Sequence, residues 1–198
     1  MPNANAKHLL TRDDILPMTE YGKIRREQRR VISQLKKRRR VEVGPFATFY
    51  FENYETMRQQ IHEMLYVEKG GEDQITDELE AYNPLIPQGS ELVATVMLEI
   101  PDAARRATLL NRLGGIENHV FLELGGERIS GKPDPTRENT SPEGKASSVQ
   151  FLHFRFTPQQ VRNFRTPNAE IVLAITHPDF RHMAVIPEIV RQALAEDL

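Results

Sequence analysis

Residues 36–65, KKRRRVEVGPFATFYFENYETMRQQIHEML, are the stretch on which the chain turns. They open as the tail of a basic helix and cross a break or bulge at Gly44-Pro45. They then run up an aromatic strand, 46–51, and turn at Glu52-Asn53 into a second helix. Asn53 suits an N-cap for a helix over 54–67, because its side-chain oxygen can accept from a first-turn N–H. Tyr54, Met57, Ile61, Met64 and Leu65 form the apolar face of that helix. At the helical angular step, Glu52, Thr56, Gln60 and Glu63 share one sector roughly 80° wide. The core does not need this ridge, which carries two carboxylates and an amide and no base. Glu52, Gln60 and Glu63 are therefore the candidate binding residues, joined by Asn83 and Glu91 if the fold brings them near. Such a set suits a hard cation or a donor-rich partner. An ordinary solvated helix face would look the same.

Upstream, residues 21–39 are predicted helical, with Ile24, Val31, Ile32 and Leu35 in one apolar stripe. The helix ends in the run Lys36, Lys37, Arg38, Arg39 and Arg40, a candidate contact for an anion or a partner. Charge is unevenly spread: 7–40 holds twelve Lys/Arg against four acids, and 41–100 holds two against twelve. Pairing of the two regions, within the chain or between subunits, is one consequence; binding of a polyanion is the other. Nucleic acid is the less favoured partner, since no aromatic interleaves the run and the whole chain is slightly acidic at net −2.

Downstream, further strands are predicted at 92–100, 119–124, 149–156 and 170–176. Helices are expected at 73–82 and 103–113, after Thr157-Pro158, and at 187–197. The polar stretch 125–148 is expected to be a long mobile loop. These elements give an α+β fold: a mostly antiparallel sheet of about five strands, helices packed on one side, and a basic N-terminal helix. A single domain over 1–198 is expected, with a basic helical arm (1–40) and an α+β body (41–198).

The chain has 198 residues and no cysteine, which removes disulfides, thiolate nucleophiles and Cys-ligated clusters. Ligation of a metal without thiolates stays open. His177, Asp179 and His182, close together after a strand, are the candidate metal ligands. No P-loop, dinucleotide fingerprint, nucleophile elbow or H-E-x-x-H occurs. The start of the chain lacks a signal-peptide core and no apolar run could span a bilayer, so a cytoplasmic protein without a membrane partner is expected.

KKRRRV, FENYET followed by QIHEM, YNPLIP, ELVATVMLEI, SSVQFLHF, and HPDF with a terminal EDL resemble the bacterial domain-of-unknown-function family 3501. The resemblance runs from Leu16 to Leu198. Where the family commonly carries a second Gln in its Q-x-Q-E-M phrase, this chain has His62. Family members are often encoded beside rubrerythrin-like and iron–sulfur oxidoreductase proteins, which implies a redox or peroxide-stress setting. The resulting expectation is a non-catalytic binding or accessory protein for such a redox partner, with assembly into an oligomer left open. A metal-dependent enzyme using these carboxylates and histidines is the alternative, and nucleic-acid binding through the basic helix a further one.

Overall fold

A computed structural model describes residues 7–198; positions 1–6 of the expected arm and leader-free start lie outside the described residues. Between the two helices, the 36–65 stretch makes two strands rather than one. β1 (Arg40–Val43) and β2 (Ala47–Phe51) run antiparallel with Val43 opposite Ala47, so 44–46 is a hairpin turn and not a bulge. Gly44 has φ 69°, and a Cβ there would lie 2.5 Å from the His182 ring. Both backbone and space therefore demand glycine. Asn53 then accepts from the Thr56 amide at 3.0 Å and starts α2 (Tyr54–Glu68) as expected.

The chain order around these elements is α1 (Met18–Lys37), β1, β2, α2, α3 (Gly71–Tyr82), β3 (Glu91–Leu98), α4 (Ala103–Arg112) and β4 (Val120–Leu124). Then come β5 (Glu127–Pro133), β6 (Val149–Arg155), α5 (Pro158–Arg165), β7 (Ile171–His177), β8 (Phe180–Val185) and α6 (Glu188–Ala195). The fold is α+β and antiparallel, but the sheet has eight strands, not five, in the order β1-β2-β3-β6-β5-β4-β7-β8. The strands curl until β1 and β8 lie side by side. No ladder joins those two among the described residues; side chains close the seam instead, with Phe46 and Phe180 rings 4.5 Å apart. The result is a nearly closed barrel.

The three strands missing from the expectation share a cause. β1 buries only Val41 and Val43, β5 only the Ile129 side chain and β8 only Phe180, and charges or Gly and Pro fill the positions between. β5 occupies 127–133 of the stretch expected to be loop. Much of the remainder is tied down: Asp134 N–H donates to Phe151 O, Ser147 N–H to Asn139 O, and Ala146 N–H to Leu110 O.

The barrel interior is filled by alternate residues of the strands, among them Phe49, Phe51, Leu92, Val96, Leu122, Leu152, Phe154 and Leu173. α4, with Leu110 and Leu113, covers the Ala47–Leu98 end, and α5 and α6, with Phe164 and Leu194, cover the Phe51 end. A second core forms outside, where Val93 and Phe151 meet Met57, Ile61, Leu85 and Ile86. Helices thus lie on one outer face and at both ends. α1 does not use the expected stripe: Ile24 and Val31 are exposed, and Ile32 alone of the four is buried. Its buried residues are Tyr21 and Ile32, and the Tyr21 hydroxyl, which donates to Glu63 and accepts from Gln59 on α2, sets its rotation. No helix among the described residues is long and apolar enough to cross a membrane.

Candidate functional site

Alternation along β2 decides what Glu52 does. Phe49 and Phe51 point into the barrel, so Tyr50 and the next residue but one, Glu52, face outward, toward α2. Thr95 on β3 shares that face, and its hydroxyl donates to Glu52 Oε1 at 2.7 Å. Glu52 is only 4% exposed, and its second oxygen, Oε2, is buried without a hydrogen-bond partner. An acceptor-only group left so costs about 1–3 kcal/mol or more when charged. It sits in the lining of a cleft of about 330 Å³ between the outer sheet face, α2 and the end of α3. Met57, Leu85 and Phe151 make the apolar wall, and Gln60, Tyr82 and Lys36 are half-buried around the opening. An apolar cleft with few polar groups is the usual form of a small-molecule site. A larger cavity of about 640 Å³ lies by Arg12, Leu16 and Tyr66. Its Arg12 and Glu72 satisfy each other at 2.7 Å, so no unmet polar demand points to a ligand there.

The structure therefore brings Glu52 and Gln60 together in one cleft and sets the other candidates elsewhere. Glu63 lies one turn on, under α1, where Arg25 binds both its oxygens at 2.9 and 2.8 Å and Tyr21 donates at 2.5 Å. The Arg25 hydrogen bond holds its carboxyl below the ordinary range against the opposing effect of burial. Asn83 accepts from Leu10 N–H and donates to Leu10 O, pinning the N-terminal segment. Glu91 faces His153 Nδ1 at 3.3 Å and Arg155 at 3.7 Å.

His177, Asp179 and His182 do not converge. His177 Nδ1 accepts from Asp179 N–H at 3.2 Å while Nε2 faces Gly114 O at 3.3 Å. Asp179 pairs with Arg112 at 2.6 Å, and the His182 ring lies tilted against Phe180, centroids 4.5 Å apart. Among the described residues no three His, Asp or Glu side chains could hold a metal ion together. The hairpin turn between β7 and β8 accounts for their closeness in sequence.

The basic run divides. Arg39 is 2% exposed and bonds Phe51 O, Glu52 O and Ala193 O at 2.9–3.1 Å, besides pairing with Asp197. Arg40 pairs with Glu42 on its own strand. Lys36 and Lys37 have no acidic partner among the described residues, and Arg38 caps α1 through its backbone. Lys36, Lys37 and Arg40 line a groove of about 520 Å³ with Arg29 and Ser33, next to the Glu52 cleft. Tyr50, Tyr82 and Thr95 were missed by sequence reasoning. The period-two pattern of β2 could have found Tyr50; the other two depend on how strands and helix meet.

His62 belongs to the frame rather than the cleft. Its Nδ1 faces Arg58 O at 2.7 Å, its Nε2 accepts from Leu16 N–H at 3.0 Å, and the ring stacks on Tyr21. Burial lowers its pKa, and neutrality is what the Leu16 bond requires. A base with a depressed folded pKa gives stability that is complete above its unfolded value, about 6.5, and lost as pH falls through the folded one. The melting temperature should thus fall from pH 7 to pH 5 more in the native protein than in His62→Gln, whose amide can replace both bonds. Parallel pH profiles would remove His62 as the cause.

A crystal structure from Burkholderia pseudomallei K96243, titled a novel protein of unknown function, superposes with a TM-score of 0.89 at 38% identity. The match covers 96% of this chain and 98% of that one. No curated protein matches. The family described as "Protein of unknown function (DUF3501)" matches residues 9–198, and the chain belongs to that family.

Proposed function

We propose that this is a non-catalytic ligand-binding protein whose site is the cleft floored by Glu52. One observation carries the reading: a 4% exposed carboxylate has an oxygen without a partner in the wall of a ligand-sized cleft. A carboxylate that only stabilised the fold would have its acceptors filled, as those of Glu63 are. The ligand supplies the missing donor and places apolar surface against Met57, Leu85 and Phe151. In an accessory role beside a redox protein, as the family resemblance implies, it would carry or sense a small molecule without transforming it.

Glu52→Gln tests this directly. The variant keeps the acceptor for Thr95 and removes the buried charge, so the unliganded protein should be as stable as the native one, or more stable by about 1–2 kcal/mol. Native mass spectrometry of both proteins purified from the same cells should show a small molecule on the native chain and none on the variant. A loss of about 2 kcal/mol or more in the variant, with no difference in bound mass, would make Glu52 a structural group.

A further inference from the structure

The Glu52 cleft does not end at its opening. Lys36, Tyr50 and Gln60 line both it and the neighbouring groove of about 520 Å³, so the two cavities abut. Their chemistries are opposite. The cleft offers a buried acceptor, Glu52 Oε2, among aromatic walls that include Tyr50, Tyr82 and Phe151. The groove offers four cations, Arg29, Lys36, Lys37 and Arg40, against one acid, Glu63. That acid is already saturated by Arg25 and Tyr21 and lies 4.0 Å from Arg29. Arg40 is occupied by Glu42, which leaves Lys36 and Lys37 as a pair of cations without a counter-charge among the described residues. Paired cations beside a cleft call for a dianion.

The geometry points to a nucleoside monophosphate, held with its base in the Glu52 cleft and its phosphate on Lys36 and Lys37. This rests on the cleft being the binding site and adds the class of ligand. The aromatic walls suit a flat ring, which stacks on tyrosine and phenylalanine whatever its sequence of substituents. An ionised carboxylate accepts and never donates, so it selects a base edge that presents N–H groups. Guanine presents N1–H and the N2 amino group side by side. Adenine presents a ring acceptor beside its amino group, which would face the carboxylate lone pairs. Gln60, at the same opening, can donate or accept and so complete the base edge. Lys36, Gln60 and Tyr82, which line the cleft with Glu52, are half-buried, so their side chains have room to adjust around a ligand.

The test is calorimetric titration of the full chain with GMP, AMP, guanosine and inorganic phosphate, at low and high salt. GMP should bind one per chain, about tenfold or more tighter than AMP and than guanosine, with affinity falling as salt rises. Glu52→Gln should remove the preference for GMP over AMP. Lys36→Gln with Lys37→Gln should bring GMP down to the affinity of guanosine and flatten the salt dependence. Gln60→Leu, whose position is half-buried, should weaken GMP as well and stands in if Glu52→Gln fails to fold. Guanosine binding as tightly as GMP, with no effect of the lysine changes, would overturn the phosphate assignment and leave the cleft as the site. Phosphate binding as tightly as GMP, with no effect of Glu52→Gln, would overturn the assignment and the cleft together. Absence of binding by GMP overturns the ligand class, while the bound-mass comparison above still decides whether the cleft is a site.

Discussion

Arg39→Gln should lower stability by about 3–5 kcal/mol, the usual cost of removing one partner from a buried ion pair. At about 2–4 °C per kcal/mol for a chain of this size, the loss is readily seen in a thermal melt. The guanidinium holds three carbonyls, two at the end of β2 and one on α6, and faces Asp197, which is otherwise buried. Burial pushes the Asp197 carboxyl up to about 6 although Arg39 pulls it down. A carboxyl raised in the folded state favours folding when protonated, and that contribution is lost as pH rises through the folded value. Without Arg39 the value rises further, so the deficit of the variant should widen above about pH 6. High salt should not reproduce the effect, since a buried pair is poorly screened. Arg38→Gln, at an exposed position, should change little. Equal melting temperatures for native protein and Arg39→Gln at pH 8 would refute the role given to this residue.

Gly114→Ala should cost about 3 kcal/mol, at the upper end of overpacking penalties. A Cβ at this position would stand 2.0 Å from the carbonyl oxygen of Gly144, which is backbone and cannot swing aside. The 134–147 segment would have to lift from the barrel end. That strains the bonds from Ala146 N–H to Leu110 O and from Gly115 N–H to the Thr140 hydroxyl. Thermal melting would measure the loss, and exchange at the Ala146 amide would locate it. A variant with native melting and an unchanged Ala146 amide would show that the close approach is dispensable.

Legibility in the sequence tracked how local each interaction is. Asn53, Asp102 and Thr157 cap their helices as their residue types dictate, because a cap acts across three residues. The ridge on α2 placed Glu52 and Gln60 in one cleft, yet the same angular argument included Glu63, which α1 takes up. Nothing in the spacing shows which flank of a helix another helix will cover. The basic run behaved likewise: a uniform string of cations became a buried anchor, a strand-edge pair and a groove wall. Those fates depend on the hairpin at Gly44, where sequence reasoning expected a break or bulge. Strands with two-sided burial, such as β3, were plain, whereas β1, β5 and β8 were hidden by charges on their exposed faces.

The incomplete seam between β1 and β8 leaves two strand edges where a closed barrel would have none. Unpaired edges invite another chain to add a strand, and natural sheets guard against this with outward charges. Here Arg40 and Glu42 project from β1 and Arg181 from β8, all exposed, beside the uncovered Met183 and Val185. The charged pair on β1 satisfies itself, so a stranger docking there must first break it. The gatekeeping is done by side chains that contribute little to the stability of the fold, which makes it separable: neutralising Arg40, Glu42 and Arg181 would leave the fold standing and open its strand edges to association.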